Sequence, residues 1–221
     1  MVGISFLCAI ALFSCKKDSD NVTVLLNQSG TVTVKVTDDN QNGFKGAKVS
    51  IYSSIPEGER IYFDSTDSKG ICTVGKVLQS QYGYYISAEK NNKTYQLSGF
   101  FQVIAGDDKI IEVNPFLNVG NARVKIVRGY SNEAITNVNV ALIPHSRYSG
   151  VNYVFQELIA EAYAIGKTNS EGVVEFQSMP ADVEYSVLVY SDSNTYDYPT
   201  YDNFVYVTRD FKRNVTIRVD L

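Results

Sequence analysis

The feature that most constrains this chain is an alternation of apolar and polar residues, which first becomes regular at Val32. Val32, Val34 and Val36 fall at every second position, with Thr and Lys residues between them. Side chains of a strand point alternately to the two faces of a sheet, so this pattern predicts a strand with one buried face. Short runs of the same kind follow, separated by polar turns at 38–43 and 65–70. The fold class predicted from this pattern is all-β.

The second half of the chain repeats the order of these runs. Segments 124–126, 138–142, 167–172 and 185–189 correspond to 34–36, 47–51, 65–70 and 84–88. The offset is about 90 to 102 residues, which is too long for a solenoid repeat. About seven short strands in each half predict two tandem antiparallel β-sandwiches. We place the first domain at 30–116 and the second at 117–221, with a hinge at 114–120 around Pro115, which cannot continue a central strand.

Each half resembles a carboxypeptidase regulatory-like, or transthyretin-like, domain. The resemblance is carried by a Val-x-Val or Val-x-Ile strand, a Thr-Asp/Asn-x-x-Gly turn and a strand that begins with Tyr. These motifs stand at 34–36, 66–70 and 84–86 in the first half, and at 124–126, 168–172 and 185–187 in the second. The resemblance implies two Ig-like/transthyretin-like sandwiches. Because such domains are accessory modules, it implies no catalytic activity.

The amino-terminal segment resembles the leader of a bacterial lipoprotein. An apolar run ends in Leu12-Phe13-Ser14-Cys15 and turns abruptly polar at Lys16, which is the pattern of a lipobox. The resemblance implies a signal peptide at 1–14, lipidation of Cys15 and a tether at 15–29. The Lys-then-acid sequence after the cysteine resembles a Bacteroidetes surface-export signal. It implies a protein anchored by lipid in the outer membrane and exposed at the cell surface. The alternative is a buried element that ends in Ser-Cys.

Composition argues against several functional classes. The net charge is −4 and no basic block occurs, so we expect no nucleic-acid partner. Cleavage and lipidation would leave Cys72 as the sole thiol, and we expect it to point into the core. The single histidine, His145, has no second His or Cys close to it in sequence. We therefore expect no catalytic residues, no metal site and no cofactor.

One turn partly matches a calcium-binding loop. Asp38, Asn40, Asn42 and Gly43 follow the opening of that motif, but Val49 stands where its bidentate carboxylate is required. Because Asx residues and Gly are also typical of strand-connecting turns, the sequence favours an ordinary turn.

A segment of different period lies in the second half. Apolar residues at 151, 154, 155, 158, 159 and 162 have helical spacing, and the first half has no counterpart. The pattern favours a short helix that caps one end of the second sandwich. A helix that docks a partner and a pair of strands remain as alternatives.

The segment 191–206 is rich in tyrosine. Tyr196, Tyr198, Tyr201 and Phe204 lie among Asp and Asn residues, which suits stacking on a glycan or contact with a protein. The alternative is a loop whose rings cover the sandwich. Separately, the tripeptide 64–66 resembles a Bacteroidetes O-glycosylation signal, which makes Ser65 the candidate modified residue.

These observations lead to a functional expectation. We expect a non-enzymatic, lipid-anchored surface protein that acts as a binding or spacer module, with a glycan or an envelope protein as partner. The alternative is an accessory subunit of an outer-membrane transporter or of an adhesin- or pilus-like complex. A hydrolase is the least favoured class, because no catalytic cluster can be assembled from the sequence.

Overall fold

The structure is a computed structural model that describes residues 28–53, 58–147, 155–191 and 203–219, together with the backbone of 195–197. The first half contains seven strands. They are β1 (Ser29–Val36), β2 (Lys48–Tyr52), β3 (Arg60–Ser65), β4 (Ile71–Leu78), β5 (Ser80–Lys90), β6 (Lys93–Val103) and β7 (Asp108–Val113). A 3-10 turn at Pro115–Leu117 follows β7.

The second half contains eight strands and the one α-helix of the described residues. The strands are β8 (Val119–Arg128), β9 (Asn139–Pro144), β10 (Ala164–Lys167), β11 (Val173–Pro180), β12 (Val183–Tyr190), β13 (Thr195–Asp197), β14 (Phe204–Val207) and β15 (Lys212–Val219). A 3-10 turn at His145–Arg147 and helix α1 (Phe155–Ala160) lie between β9 and β10.

The strands form two β-sandwiches in tandem, which confirms the predicted fold class. The first sandwich pairs a sheet of order β4-β1-β7 with one of order β3-β2-β5-β6. The second pairs β11-β8-β15 with β10-β9-β12, and both β13 and β14 pair with β12. Not every pair is antiparallel: β1 and β7 are parallel, as are β8 and β15. Parallel neighbours need a long crossover, and here the other strands of each sandwich provide it.

Each sandwich has its own apolar core. The first core contains Val32, Val34 and Val36 from β1, which are fully buried as the alternation predicts. Cys72 belongs to the same core and is 2% exposed, so the prediction that it points inward is confirmed. The second core contains Val124, at the position equivalent to Val34. The repeat is visible in the register, because Val34 pairs with Cys72 and Val124 pairs with Val174.

One part of the predicted repeat is wrong by two residues. Ile51 pairs with Tyr84, whereas its counterpart Leu142 pairs with Val187. The structural equivalent of Tyr185 is therefore Tyr82 and not Tyr84. The side chains agree, because the hydroxyls of Tyr82 and Tyr185 donate to the carbonyls of Leu78 and Pro180, each at 2.9 Å. A two-residue slip keeps every side chain on its face, so periodicity alone does not detect it.

Helix α1 covers one sheet face of the second sandwich. Leu158 is 2% exposed and forms a small apolar cluster with Ala141, Ile143 and Leu188 on the outer face of the sheet. Phe155, Ile159 and Ala162 pack against the same cluster, as their helical spacing predicts. Residues 151–154 of the predicted segment lie outside the described residues. The short helix is thus confirmed for its carboxyl-terminal part, but it covers the face of a sheet and not an end of the sandwich.

The connection at 114–120, which the sequence predicts as a hinge, packs against both sandwiches. Phe116 is 5% exposed and belongs to the first core, where it contacts the rings of Phe44 and Tyr95 edge to face. Asn118 is 2% exposed and is hydrogen-bonded to both halves of the chain. Pro115 lies between β7 and β8 and outside both, as predicted, and Phe116 and Asn118 on either side of Leu117 are buried.

Candidate binding surfaces

The turn that opens like a calcium loop uses its first carboxylate for its own backbone. One oxygen of Asp38 accepts from the N–H groups of Asn40 and Asn42, each at 2.9 Å. Asn42 also provides the carbonyl to which the Asp38 N–H donates at 2.8 Å. This is the bonding of an Asx turn, in agreement with the ordinary turn that the sequence favours. Among the described residues, no group of three His, Cys, Asp or Glu side chains is placed to hold a metal ion.

The Thr-Asp/Asn-x-x-Gly turns are structural staples in both sandwiches. The Thr66 hydroxyl accepts from the Ala47 N–H at 2.9 Å and donates to the Phe44 carbonyl at 2.6 Å. Thr168 makes the same pair of bonds in the second sandwich, with the Val138 N–H at 3.1 Å and the Ile135 carbonyl at 3.0 Å. Both threonines are buried, so these hydroxyls hold the turn to the start of the neighbouring strand.

The acidic or amide residue of each staple closes the turn itself. Asp67 accepts from the N–H groups of Lys69 and Ile71 at 2.8 and 2.9 Å, and Asn169 accepts from those of Glu171 and Val173 at 2.9 and 3.0 Å. These backbone bonds hold the pKa of Asp67 below its usual value. The motif that carries the family resemblance therefore has a structural role, because its side chains hold the turn together and join it to the neighbouring strand.

The Tyr-rich segment reaches the described structure in β13 and β14. Phe204 is 43% exposed and lies on the outer face of β14, opposite Ser186. Tyr206 is on the same face, opposite Glu184, and burial raises the pKa of its hydroxyl. Tyr196 belongs to β13, which pairs with β12. Two other predicted contact residues, Tyr198 and Tyr201, lie outside the described residues.

A histidine cluster that the sequence analysis missed lies beside Phe204. His145 Nδ1 is 3.0 Å from the Ser186 hydroxyl and 3.8 Å from a Glu184 carboxylate oxygen. A catalytic triad needs the nucleophile and the acid on opposite ring nitrogens, whereas both groups here approach the same nitrogen. Ser186 is also 1% exposed. The signal for this cluster was the i, i+2 spacing of Glu184 and Ser186, which places both on one face of a strand.

Cys72 is a core thiol with one polar neighbour. Its sulfur is 3.6 Å from the hydroxyl of Tyr62, which also donates to the Thr73 carbonyl at 3.0 Å. Burial raises the pKa of the Cys72 thiol, and the nearby carboxylates of Asp64 and Asp67 raise it further. A thiol that resists ionisation is a poor nucleophile.

The two predicted modification sites differ in what the structure describes. Ser65 ends β3 and is exposed, whereas its neighbour Thr66 is buried in the staple. O-glycosylation of Ser65 stays a prediction. Cys15 lies outside the described residues, and its lipidation also stays a prediction. Among the residues that are described, no helix is both long and apolar enough to cross a membrane.

An exposed aromatic surface covers the outer face of the first sandwich. We call it the aromatic face and define it by Tyr52, Phe63, Tyr85 and Phe100, from strands β2, β3, β5 and β6. Phe63 is 53% exposed and Phe100 is 62% exposed, while both tyrosines are partly exposed. Burial raises the pKa of Tyr85, and the neighbouring Tyr52 raises it further. The sequence analysis missed this surface, because its four rings come from strands far apart in the chain.

The contact between the two sandwiches is polar and specific. The Asn118 amide donates to the Gln96 carbonyl at 2.7 Å and to an Asp182 carboxylate oxygen at 2.9 Å. The Tyr163 hydroxyl of the second sandwich accepts from the Thr94 N–H of the first at 2.8 Å.

Arg147 adds charge to this junction. Its guanidinium lies 5.3 Å from the centroid of the Tyr163 ring, and one of its nitrogens is 2.6 Å from a Glu161 carboxylate oxygen. It also reaches Glu89 of the first sandwich at 4.0 Å. The hydrogen bond to Glu161 raises the pKa of Arg147, so the guanidinium is charged at neutral pH.

Comparisons with known proteins give low similarity. No protein-family model matches the chain, and no curated protein matches it. Solved structures that match include the TIE protein of Bacillus anthracis, a streptococcal ancillary pilin and the minor pilin GBS52 of Streptococcus agalactiae. Each is 13% identical to this chain over 86–87% of its length, with TM-scores of 0.35, 0.38 and 0.41. The chain spans 34%, 62% and 95% of these structures, respectively. Scores this low carry no information about activity or assembly.

Proposed function

We propose that this chain is a non-enzymatic structural module of the cell surface, of the adhesin- or pilus-like kind, anchored by lipid at Cys15. In this role the two sandwiches hold a binding surface at a fixed orientation to the membrane. The observation that carries the proposal is the junction between them. A spacer has to transmit orientation from one domain to the next, and a flexible linker would not do so.

Asn118 is the centre of that argument. It is 2% exposed, and its side-chain amide donates to one acceptor in each sandwich. Its backbone carbonyl accepts from the Ala181 N–H at 2.9 Å. A buried amide that loses its partners costs about 1–3 kcal/mol, so any other orientation of the sandwiches is penalised. The Tyr163–Thr94 bond and the contacts of Arg147 add to this constraint.

Calorimetry tests the junction. We expect the intact chain to unfold in one transition, because the sandwiches stabilise each other through Asn118. Asn118→Ala should separate this into two transitions, whereas the exposed Asn214→Ala serves as a matched control and should leave it unchanged. Two independent transitions in the unmodified chain would contradict the proposal.

Membrane fractionation tests the anchor separately. Cys15→Ala removes the acylated thiol, and we expect the protein to move from the membrane fraction to the soluble fraction, since several acyl chains provide stable anchoring. Retention in the membrane of a variant from which residues 1–14 have been removed would overturn the lipoprotein interpretation and would leave the junction argument intact.

A second candidate function is capture of a glycan by the Tyr-rich segment. The observation that favours it is the position of Phe204 and Tyr206, which lie on one face of β14 and pair with Ser186 and Glu184 of β12. If Tyr196, Tyr198 and Tyr201 extend this surface, changing all three to Ala should leave the thermal midpoint nearly unchanged. If the rings cover the sandwich, each truncation should cost about 3–5 kcal/mol, and a large fall in the midpoint would retire this candidate.

A further inference from the structure

The outer faces of the two sandwiches can be compared position by position. The pairing Tyr52–Gly83 in the first corresponds to Ile143–Ser186 in the second. In the same way, Ser50–Tyr85 corresponds to Ala141–Leu188. At these equivalent positions the second sandwich is mainly aliphatic, and helix α1 buries it completely. The first sandwich has Tyr, Gly and Ser there, and no described element covers its rings.

This substitution pattern indicates what kind of ligand the aromatic face accepts. An aliphatic sheet face suits a covering helix that excludes water, and Leu158 of α1 packs on such a face in the second sandwich. Tyrosine has an apolar ring and a polar hydroxyl, and it is typical of surfaces that bind while staying wet. A sugar ring matches this chemistry, because its C–H faces stack on aromatic rings and its hydroxyls bond to polar groups. Ser98, which is exposed on β6 opposite Tyr85, supplies such a group.

The geometry suits an extended chain of sugars. Phe63 lies on β3 and Phe100 on β6, which are the two edges of the sheet and about 14 Å apart at the usual strand spacing. Tyr85 lies between them, opposite Ser98. Gly83 stands between Tyr52 and Phe100 and has no side chain, so the surface is low at that point. A flat face with rings at both edges contacts several sugar units at once.

The charges on this face select among glycans. The Arg60 guanidinium lies 4.9 Å from the centroid of the Phe63 ring. Lys48 is exposed, and its pairing with Ser87 places it on the same face as Tyr52 and Tyr85. Glu89 lies at the far end of the face, where Arg147 is 4.0 Å from its carboxylate. Arg60 and Lys48 therefore provide positive charge near the rings, and the exposed Glu59 precedes Arg60 in the chain.

We propose that the aromatic face binds an acidic oligosaccharide, with Phe63, Tyr85 and Phe100 stacking on sugar rings and Arg60 and Lys48 pairing with carboxylates. The proposal adds a ligand class to the surface role proposed above. Its test uses the Cys15→Ala chain solubilised in detergent, so the result does not depend on whether the lipid anchor exists.

Titration calorimetry with hexagalacturonate as the acidic probe and cellohexaose as the neutral one measures this binding. We expect saturable binding of hexagalacturonate, weakened about tenfold or more by Phe63→Ser or Phe100→Ser, which is the scale of a lost aromatic anchor. Both rings are more than half exposed, so these variants should fold normally. Phe211→Ser is the matched control, because Phe211 is 69% exposed on the other sandwich and should not matter.

Arg60→Gln separates charge from stacking. It should remove most of the preference for hexagalacturonate over cellohexaose and reduce the salt dependence of binding. The proposal is overturned if neither glycan binds saturably, or if the Phe63 and Phe100 variants bind as well as the unmodified chain. It is also overturned if sedimentation shows a dimer that Phe63→Ser dissociates, since a second copy would then cover the face. Equal binding of the two glycans would refute the acidic preference.

Discussion

Each sandwich has its own apolar core, and the two have the same turn staple and equivalent strand pairing, yet they differ in what lies over one face. Helix α1 buries the outer face of the sheet that contains β9 and β12. The equivalent face of β2 and β5 presents partly or largely exposed aromatic rings. The two sandwiches thus have equivalent strand orders but different outer faces, one covered by a helix and one with exposed rings.

The difference comes from one connection. Between β9 and β10 the chain contains a 3-10 turn and α1, whereas the residues between β2 and β3 number seven. An uncovered aliphatic sheet face would be an aggregation hazard, so Ile143 and Leu188 require the cover that the longer connection supplies. Tyr52 and Tyr85 tolerate water and do not require it.

The largest effect should come from loosening the helix cover. Leu158→Ala removes a side chain that is 2% exposed, and we expect a loss of about 2–5 kcal/mol in the free energy of unfolding of the second sandwich. Urea unfolding measures it. Leu78→Ala, at a site 64% exposed, is the control and should change little. Equal stability of the two variants would mean that α1 does not cap the sheet.

The staples should respond alike in both sandwiches. Thr66→Val and Thr168→Val each leave a backbone N–H and a carbonyl without the hydroxyl that joined them, at a cost of about 1–3 kcal/mol. The exposed Thr73→Val and Thr216→Val are matched controls. Chemical denaturation of the four variants makes the comparison, and a loss confined to one sandwich would break the equivalence of the turns.

The corrected register predicts a smaller and more selective effect. Tyr82→Phe and Tyr185→Phe each remove one hydrogen bond to a backbone carbonyl, which should cost about 0.5–1.5 kcal/mol. Tyr84→Phe should cost less, because its partly exposed hydroxyl makes no such bond within the described structure. Thermal unfolding of the three variants ranks them. Equal losses of stability in Tyr84→Phe and Tyr185→Phe would favour the register predicted from the sequence, in which Tyr84 is the equivalent of Tyr185.

The smallest expected effect is on the stability of the protein at low pH. The pKa of Asp67 is lowered because the N–H groups of Ile71 and Lys69 donate to its carboxylate. The ionised carboxylate therefore stabilises the fold at pH values above the ordinary pKa of 3.8, and this stabilisation is lost as the pH falls through the lower pKa of the folded state. Asn169 makes the same bonds without titrating. Asp67→Asn should therefore leave stability at neutral pH unchanged and flatten its fall in acid. Acid titration followed by circular dichroism measures this, and an unchanged acid midpoint would contradict it.

The sequence predicted the fold better than it predicted which residues come together on the surface. The tyrosines at 196, 198 and 201 attracted attention because they are close in sequence, and only Phe204 of that predicted set has a described side chain. The rings of the aromatic face stand at positions 52, 63, 85 and 100, and nothing in the sequence groups them. Their proximity depends on strand order, which brings β3 and β6 into one sheet. The same holds for His145, Glu184 and Ser186.

The sequence by itself determined which residues face inward and where the chain turns. The alternation around Val34 and Val124 placed both strands correctly, and the Thr-Asp/Asn-x-x-Gly motif contained every side chain of the staple. These features are local, so a period of two and the hydrogen-bonding capacity of a few residues are sufficient. Tertiary structure alone decided the register of β5 and β12, since a pattern of period two is unchanged by a slip of two residues. It also decided that β7 and β15 run parallel to the first strand of their sandwich and that Asn118 joins the sandwiches. Among the described residues, it decided too that α1 covers one sheet face while the rings of the other are exposed. Each of these depends on contacts between residues far apart in the chain.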